Sequence, residues 1–309
     1  MEYTAAAGRK NLSAYIKASV PKYVLLAPSI ILLAVFHYWP IYGIVIAFKK
    51  FNPISGIMKS DWAGFYYFNL FLRDPGFWTV MRNTVMINIY GLVFGFPFPI
   101  LFALLLNELR GKKFVKVTQT VSYLPNFITW MVACGIFVTI LSPSNGIINK
   151  IITSFGGQPV YFLTKREYFW PIITIQGIWK GFGMGSVYYI AALTGIDQEL
   201  YMAAAIDGAG RLKQTWHITL PGLRNIIIVL FVLNLGGMIS IGFDQIFFMY
   251  NPAVYEVGDV ISTYVYRFGL EKAEYSYTTA VGLMQNVVGF AMVYGANRMA
   301  RKVAGWSLW

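Results

Sequence analysis

Long apolar runs alternate with short polar, often basic, stretches along the whole chain. A helix needs about 20 apolar residues to cross a bilayer. Six runs reach that length, roughly Tyr23 to Phe48, Phe77 to Leu106, Val121 to Leu141, Phe169 to Leu193, Leu223 to Phe248 and Thr278 to Met299. The pattern predicts an all-α integral membrane protein with six transmembrane helices. It divides into an amino-terminal segment of residues 1–22, a membrane domain of residues 23–300 and a tail of residues 301–309. Prolines and glycines inside the runs, as in the stretch GFPFPI from Gly95 to Ile100, fit membrane helices whose neighbours satisfy the freed backbone groups.

Composition agrees with this reading. Of 309 residues, 57% are hydrophobic and 12% charged, against about 25% charged in soluble domains. The 24 Phe, 21 Tyr and 9 Trp suit a chain with many membrane interfaces, where rings with one polar edge are favoured. The net charge of +12 is spread between apolar runs rather than gathered on one face. That argues against nucleic acid and for anionic lipid headgroups as the partner. The single cysteine, Cys134, excludes an internal disulfide and reads as a small buried hydrophobe. Met1 to Lys22 is polar and the first apolar run is long, so the start of the chain does not read as a cleavable signal peptide.

Basic loops are retained in the cytoplasm. Alternate polar segments carry Arg9, Lys10, Lys17 and Lys22, then Arg110, Lys112, Lys113 and Lys116, then Arg211, Lys213 and Arg224, then Arg298, Arg301 and Lys302. Nine basic residues lie on the other side, in longer loops of about 26 to 30 residues, a length that is usually functional. Both termini and the stretch around residues 194–222 are therefore expected in the cytoplasm.

That stretch has an organisation of its own. Asp197 is placed to cap a helix starting at Gln198. Asp207-Gly208 then reads as a turn, because glycine accepts positive φ. A second short helix, RLKQTWHI, places Leu212, Trp216 and Thr219 on one face, and the following Leu220-Pro221-Gly222 is expected to stop it. The alanines at 203 to 205 allow another surface to approach closely. From physics alone the element is either a docking surface or an amphipathic helix resting on lipid.

Few groups inside the runs carry chemistry. Lys180 and Asp244 fall within predicted spans, where ionisable groups usually face a cavity, a partner or the interface. Lys180 is expected to snorkel, to pair with an acid or to face the path. Asp244 is expected to lie either at a helix end or, with Gln245, Asn234 and Asn88, on a translocation path. Trp179, Phe182, Tyr188, Tyr189, Phe243, Phe247, Phe248 and Tyr250 offer faces for sugar rings or ordinary packing. No metal-ligand cluster, nucleotide loop or nucleophile turn is present, and His37 and His217 are far apart. The chain does not read as an enzyme and is expected to carry no catalytic residue, metal or cofactor.

The segment from Tyr201 to Gly222 resembles the loop of binding-protein-dependent ABC importer permeases, whose pattern is E-A-A, three residues, G, nine residues, I, one residue, L-P. Ala203, Ala204, Gly208, Ile218, Leu220 and Pro221 match in type and spacing, and Met202 replaces the glutamate. The stretches YGIVIAFKKFNP, FWTVMRNTV, QTVSYLPNFITWMV and GFDQIFFMYNP are similar to the carbohydrate-importer group that handles complex or acidic oligosaccharides. The resemblance implies a type I importer permease fold whose coupling helix docks on an ATPase through Met202, Ala203, Ala204, Asp207, Gly208, Leu212, Ile218, Leu220 and Pro221. It implies a second permease subunit, expected to be a different chain, and two cytoplasmic ATPase subunits that hold ATP and magnesium. It also implies an extracytoplasmic solute-binding protein and a place in the bacterial plasma membrane. Substrate-path candidates are Asn88, Trp179, Lys180, Tyr188, Asn234, Asp244, Gln245 and Tyr250. Two alternatives stand beside this reading. One is an importer of peptides or other small polar solutes, since the loop is shared across substrates; the other is a membrane enzyme acting on lipid-linked glycans, which would need an acid pair or metal site.

Overall fold

The computed structural model describes residues 12–109, 111–236 and 242–304. Arg9, Lys10 and Arg110, used in the charge count, lie outside the described residues.

Helix dominates, as the apolar runs require. Helix α1 (Leu12–Leu33) runs on through a π-helical turn (Ala34–Tyr38) and a 3₁₀ segment (Trp39–Phe48). A two-residue antiparallel ladder, β1 (Lys49–Lys50) with β2 (Asp61–Trp62), brackets α2 (Gly56–Lys59). Next come the amphipathic α3 (Tyr66–Arg73) and α4 (Pro75–Tyr90). Helix α4 is capped by Asp74, whose Oδ1 accepts the Gly76 N–H at 2.8 Å. It continues through a π turn (Gly91–Gly95) into α5 (Pro97–Glu108).

Helices α6 (Lys112–Tyr123) and α7 (Trp130–Leu141) follow, then α8 (Ile147–Ser154) and the 28-residue α9 (Arg166–Leu193). The polar stretch holds α10 (Gln198–Ile206) and α11 (Arg211–Gln214). A π turn (Thr215–Thr219) joins α11 to α12 (Leu220–Gly236). The described residues end with α13 (Phe243–Phe247), α14 (Tyr255–Gly258), α15 (Ile261–Tyr266) and α16 (Tyr275–Ala304).

Among the described residues, four helices are long and apolar enough to cross a membrane: Ser19–Phe48, Pro75–Glu108, Arg211–Gly236 and Tyr275–Arg298. A fifth span results if the bent pair Lys112–Phe127 and Trp130–Leu141 counts as one. Four expectations are corrected. The run Val121 to Leu141 is not one straight helix: it turns through 102°, because Pro125 lacks an N–H and Thr129 starts a new helix with its own cap on Val132. Leu220-Pro221-Gly222 does not stop a helix. The π turn just before it absorbs the carbonyl clash of the proline ring, and Arg211–Gly236 is one helix. The same turn rotates the register, so Thr219 is buried while Leu212 and Trp216 stay exposed, rather than sharing a face. Finally, the run from Leu223 to Phe248 is not one helix: α12 is described as far as Gly236, residues 237–241 lie outside the described residues, and Gly242 has a non-helical backbone, so Phe243–Phe247 forms the separate α13.

The run Phe169 to Leu193 is helical but falls short on apolarity, and its position explains why. Helix α9 forms the axis of the fold and buries Ile172, Ile173, Gln176, Lys180, Gly183, Ser186 and Tyr189. A helix enclosed by protein can carry polar side chains that a lipid-facing one cannot. One end of the axis is closed by a core of Phe169, Ile173, Ile246 and Val254, the other by Ala103, Tyr189, Leu193 and Leu223. A third core joins Ala47 of the first helical segment to Phe71, Phe77, Tyr264, Tyr277 and Val281.

The long loops are ordered by buried polar groups at the end away from residues 194–222. Asn83, fully buried, donates to the carbonyls of Glu256 (3.0 Å) and Asp259 (2.9 Å). Asp259 accepts from Thr263 and from both terminal nitrogens of Arg267. The Tyr264 hydroxyl donates to Asp74 Oδ2 at 2.6 Å. Burial first, and this hydrogen bond second, hold its phenol far above the usual value and so keep the donor proton in place.

Candidate functional site

A cavity of about 420 Å³ opens beside the middle of α9. Its walls come from α4 and its π turn, α5, α9, α12 and α13. Of the path candidates, Asn88, Tyr188, Asn234 and Gln245 meet here. Gln245 is held in place by Nε2 bonds to the Ile173 carbonyl (2.8 Å) and Gln176 Oε1 (3.1 Å). Asn88 and Asn234 each donate to the carbonyl four residues earlier, at 2.8 Å. Phe96, Phe182 and Tyr189 supply further rings, and no charged side chain lines the cavity among the described residues. Three cavity glycines, Gly177, Gly181 and Gly185, repeat every four residues along α9. A Cβ at Gly181 would meet nothing within 4 Å, so the missing side chain leaves space there, whereas at Gly185 it would lie 3.2 Å from the Pro99 ring, so that glycine lets α5 approach closely. The sequence carries this signal in GIWKGFGMG, as a glycine spacing that polar and aromatic positions do not register.

The other candidates are elsewhere. Trp179 packs edge-on against Phe137 of α7 at 5.7 Å. Asp244 is exposed in the first turn of α13, and Tyr250 packs between Phe247 and Tyr255. Lys180 neither snorkels, pairs with an acid nor faces the cavity. Its Nζ donates to the carbonyls of Ile128 (2.6 Å) and Asn126 (2.8 Å), with Pro125 at 3.4 Å and the Trp130 ring 5.2 Å away. These carbonyls sit at the break between α6 and α7, where helical donors are missing. The lysine is a structural plug for the bend. Cys134 is buried as expected, accepting from Gln176 and facing the Gln245 carbonyl.

At the far end of α9, the polar stretch folds into a compact element. Asp197 accepts the Glu199 N–H at 2.9 Å and starts α10, as its side chain and position predict. The helix ends in paired bonds, Gly208 N–H to Ala205 O (3.1 Å) and Ala209 N–H to Ala204 O (2.8 Å), with Gly208 at φ +76°. This closure needs a left-handed residue, which glycine supplies without strain. The Tyr201 hydroxyl meets Thr219 Oγ1 at 3.0 Å and so ties α10 to the π turn. Arg211 reaches Glu108 at 3.4 Å, linking α11 to the end of α5. Met202, Ala203, Asp207, Gly208, Leu212 and Pro221 are exposed, Ala204, Ile218 and Leu220 are half-buried, and Ile206 and Trp216 extend the exposed apolar face.

Residues 95–304 match the model of the binding-protein-dependent transport system inner membrane component. The chain belongs to this family. The permease is 43% identical to the protein LplB of Bacillus subtilis over 91% of its own length and 88% of that relative. It is 40% identical to YteP of the same organism, a polygalacturonan/rhamnogalacturonan transport system permease protein, over 91% of the chain and 87% of the relative. The crystal structure of a bacterial ABC transporter involved in the import of the acidic polysaccharide alginate superimposes with a TM-score of 0.88 at 40% identity, covering 95% of this chain and 99% of that one. A second structure of the alginate transporter, in complex with an alginate pentasaccharide-bound periplasmic protein, gives 0.88 at 39% identity over 97% and 100% of the chains. The chain thus has the type I permease fold and is a transport subunit, not an enzyme; ATP hydrolysis resides on a separate subunit.

Proposed function

We propose that this permease passes an oligosaccharide, acidic saccharides included, from an extracytoplasmic binding protein through the cavity beside α9 into the cytoplasm. The observation that carries the reading is the lining itself: amides at Asn88, Asn234 and Gln245 beside the rings of Phe96, Phe182 and Tyr188. Hydroxyl-rich sugars present hydrogen-bonding edges and flat C–H faces to such a surface. The relatives named for polygalacturonan/rhamnogalacturonan and alginate support the substrate class. A second permease, a different chain, would complete the path. Helix α9 would count as a sixth crossing, shielded from lipid by its neighbours. Both termini would lie in the cytoplasm with residues 194–222. In the reconstituted complex, ATP hydrolysis should rise several-fold with binding protein loaded with an acidic oligosaccharide and not with a peptide. Equal stimulation by peptides would overturn the substrate class.

In this reading α10 and its Gly208 turn form the coupling element. The ATPase pair, which binds ATP and magnesium, receives Met202, Ala203 and Leu212 in a cleft. Met202, where the family pattern has glutamate, offers a flexible apolar contact in place of a charge. Substituting Gly208→Asp places a side chain at φ +76° and strains the turn by about 1 kcal/mol. Uptake should fall tenfold or more while insertion and assembly persist. Normal uptake by the variant would reject the docking role.

A further inference from the structure

A second cavity, of about 650 Å³, lies at the 194–222 end, between the last turn of α5, one face of α6 and the last turn of α9. Its floor is apolar, with Leu106, Val115 and Leu193, and its rim carries Lys112, Lys116 and Gln198. The two lysines stand one helical turn apart and so point the same way. No acidic residue lines the cavity, and neither lysine joins an ion pair among the described residues. The opposite face of α6 is a stripe of exposed Phe114, Val117 and Val121, continued by Leu124 just beyond its end. The helix thus shows its apolar side outward and turns its positive side to an apolar-floored hollow.

We propose that this cavity holds one anionic phospholipid, its phosphate against Lys112 and Lys116 and an acyl chain on the apolar floor, and that the bound lipid steadies the coupling helix. Gln198, the first residue of α10, shares the rim with the lysines. This regulatory part rests on the assignment of α10 to coupling. A carboxylate from a protein partner would also answer the lysines, but it leaves the apolar floor uncovered, whereas an acyl chain fills it.

The test compares the purified transporter complex with its Lys112→Gln/Lys116→Gln variant in phosphatidylcholine nanodiscs with and without phosphatidylglycerol. Retained lipid is read by native mass spectrometry, alongside ATPase rate. The double variant should lose phosphatidylglycerol affinity on the order of thirtyfold, at about 1 kcal/mol per lysine near an anionic headgroup. Its ATPase should no longer respond to that lipid, with the rate in phosphatidylcholine unchanged. Equal retention by variant and wild type would overturn the site. Unchanged retention together with loss of ATPase subunits would assign the lysines to a protein interface and also overturn it. A wild-type chain that retained the lipid but recruited no ATPase would overturn the coupling reading of α10 and leave the lipid site standing.

Discussion

Replacing Gly183 with leucine is expected to leave no intact transporter complex to purify. Helix α9 meets the end of α6 at this residue, and a Cβ there would lie 2.0 Å from the Ser122 carbonyl oxygen and 2.5 Å from its carbon. Both obstacles are backbone, so no rotamer change relieves the clash; α6 itself would have to move. That movement would pull the neighbouring break away from Lys180 and open the packing along the whole axis. Overfilling a packed site costs about 1–3 kcal/mol when side chains can adjust, and here they cannot. Gly183→Ala should therefore sit at or above the upper end of that range, and Gly183→Leu beyond it. Yield of monodisperse complex and its melting temperature are the measurements, with Gly135→Ala as the control, since a Cβ at Gly135 meets nothing within 4 Å. Wild-type yield and melting for Gly183→Leu would mean that the two helices do not touch at this point.

Lys180→Met should produce the next largest loss. Methionine keeps most of the stem but removes the donors, leaving the carbonyls of Asn126 and Ile128 without the partner that meets them at 2.8 and 2.6 Å. Each hydrogen bond to a charged group is worth about 1.5–3 kcal/mol, and both bonds are only part-buried, which places each toward the lower end of that range. A destabilisation of about 3 kcal/mol or more follows, read as a lower melting temperature of the complex. Lys180→Arg keeps the charge and a set of donors, so it should recover part of the loss. If methionine and arginine variants melted alike, the charge would not be what holds the bend.

Much of the architecture was legible because the bilayer forces apolarity on any helix that lipid touches. The runs at Tyr23, Phe77 and Thr278 announced themselves in this way. The Asp197 cap and the Gly208 turn were legible for a local reason: each depends on residues within a few positions of itself. What escaped was set by distant partners. The break at Pro125 looked tolerable in a membrane helix, and Lys180, the side chain that braces the corner, stands more than fifty residues on. The π turn before Pro221 hid the continuity of Arg211–Gly236, since a helix that absorbs a proline carries no separate sequence mark. Half of the expected path residues reached the cavity. Asn88, Tyr188, Asn234 and Gln245 did; Trp179 and Lys180 share α9 but face α7 and the bend, since one turn of helix carries side chains to every side.

The core that joins the first helical segment to the last also sets an order of events. Ala47 packs in the same cluster as Tyr277 and Val281, and the Phe51 N–H reaches Ser276 Oγ at 3.0 Å across 225 positions of chain. During synthesis the amino-terminal helix enters the membrane first and waits, its partner still unmade on the ribosome. Contacts of such long range close slowly, and this one cannot close until the final helix arrives. A chain stalled before α16 would leave Ala47, Phe71 and Phe77 as an open apolar seam, so α16 is the latch that closes this core.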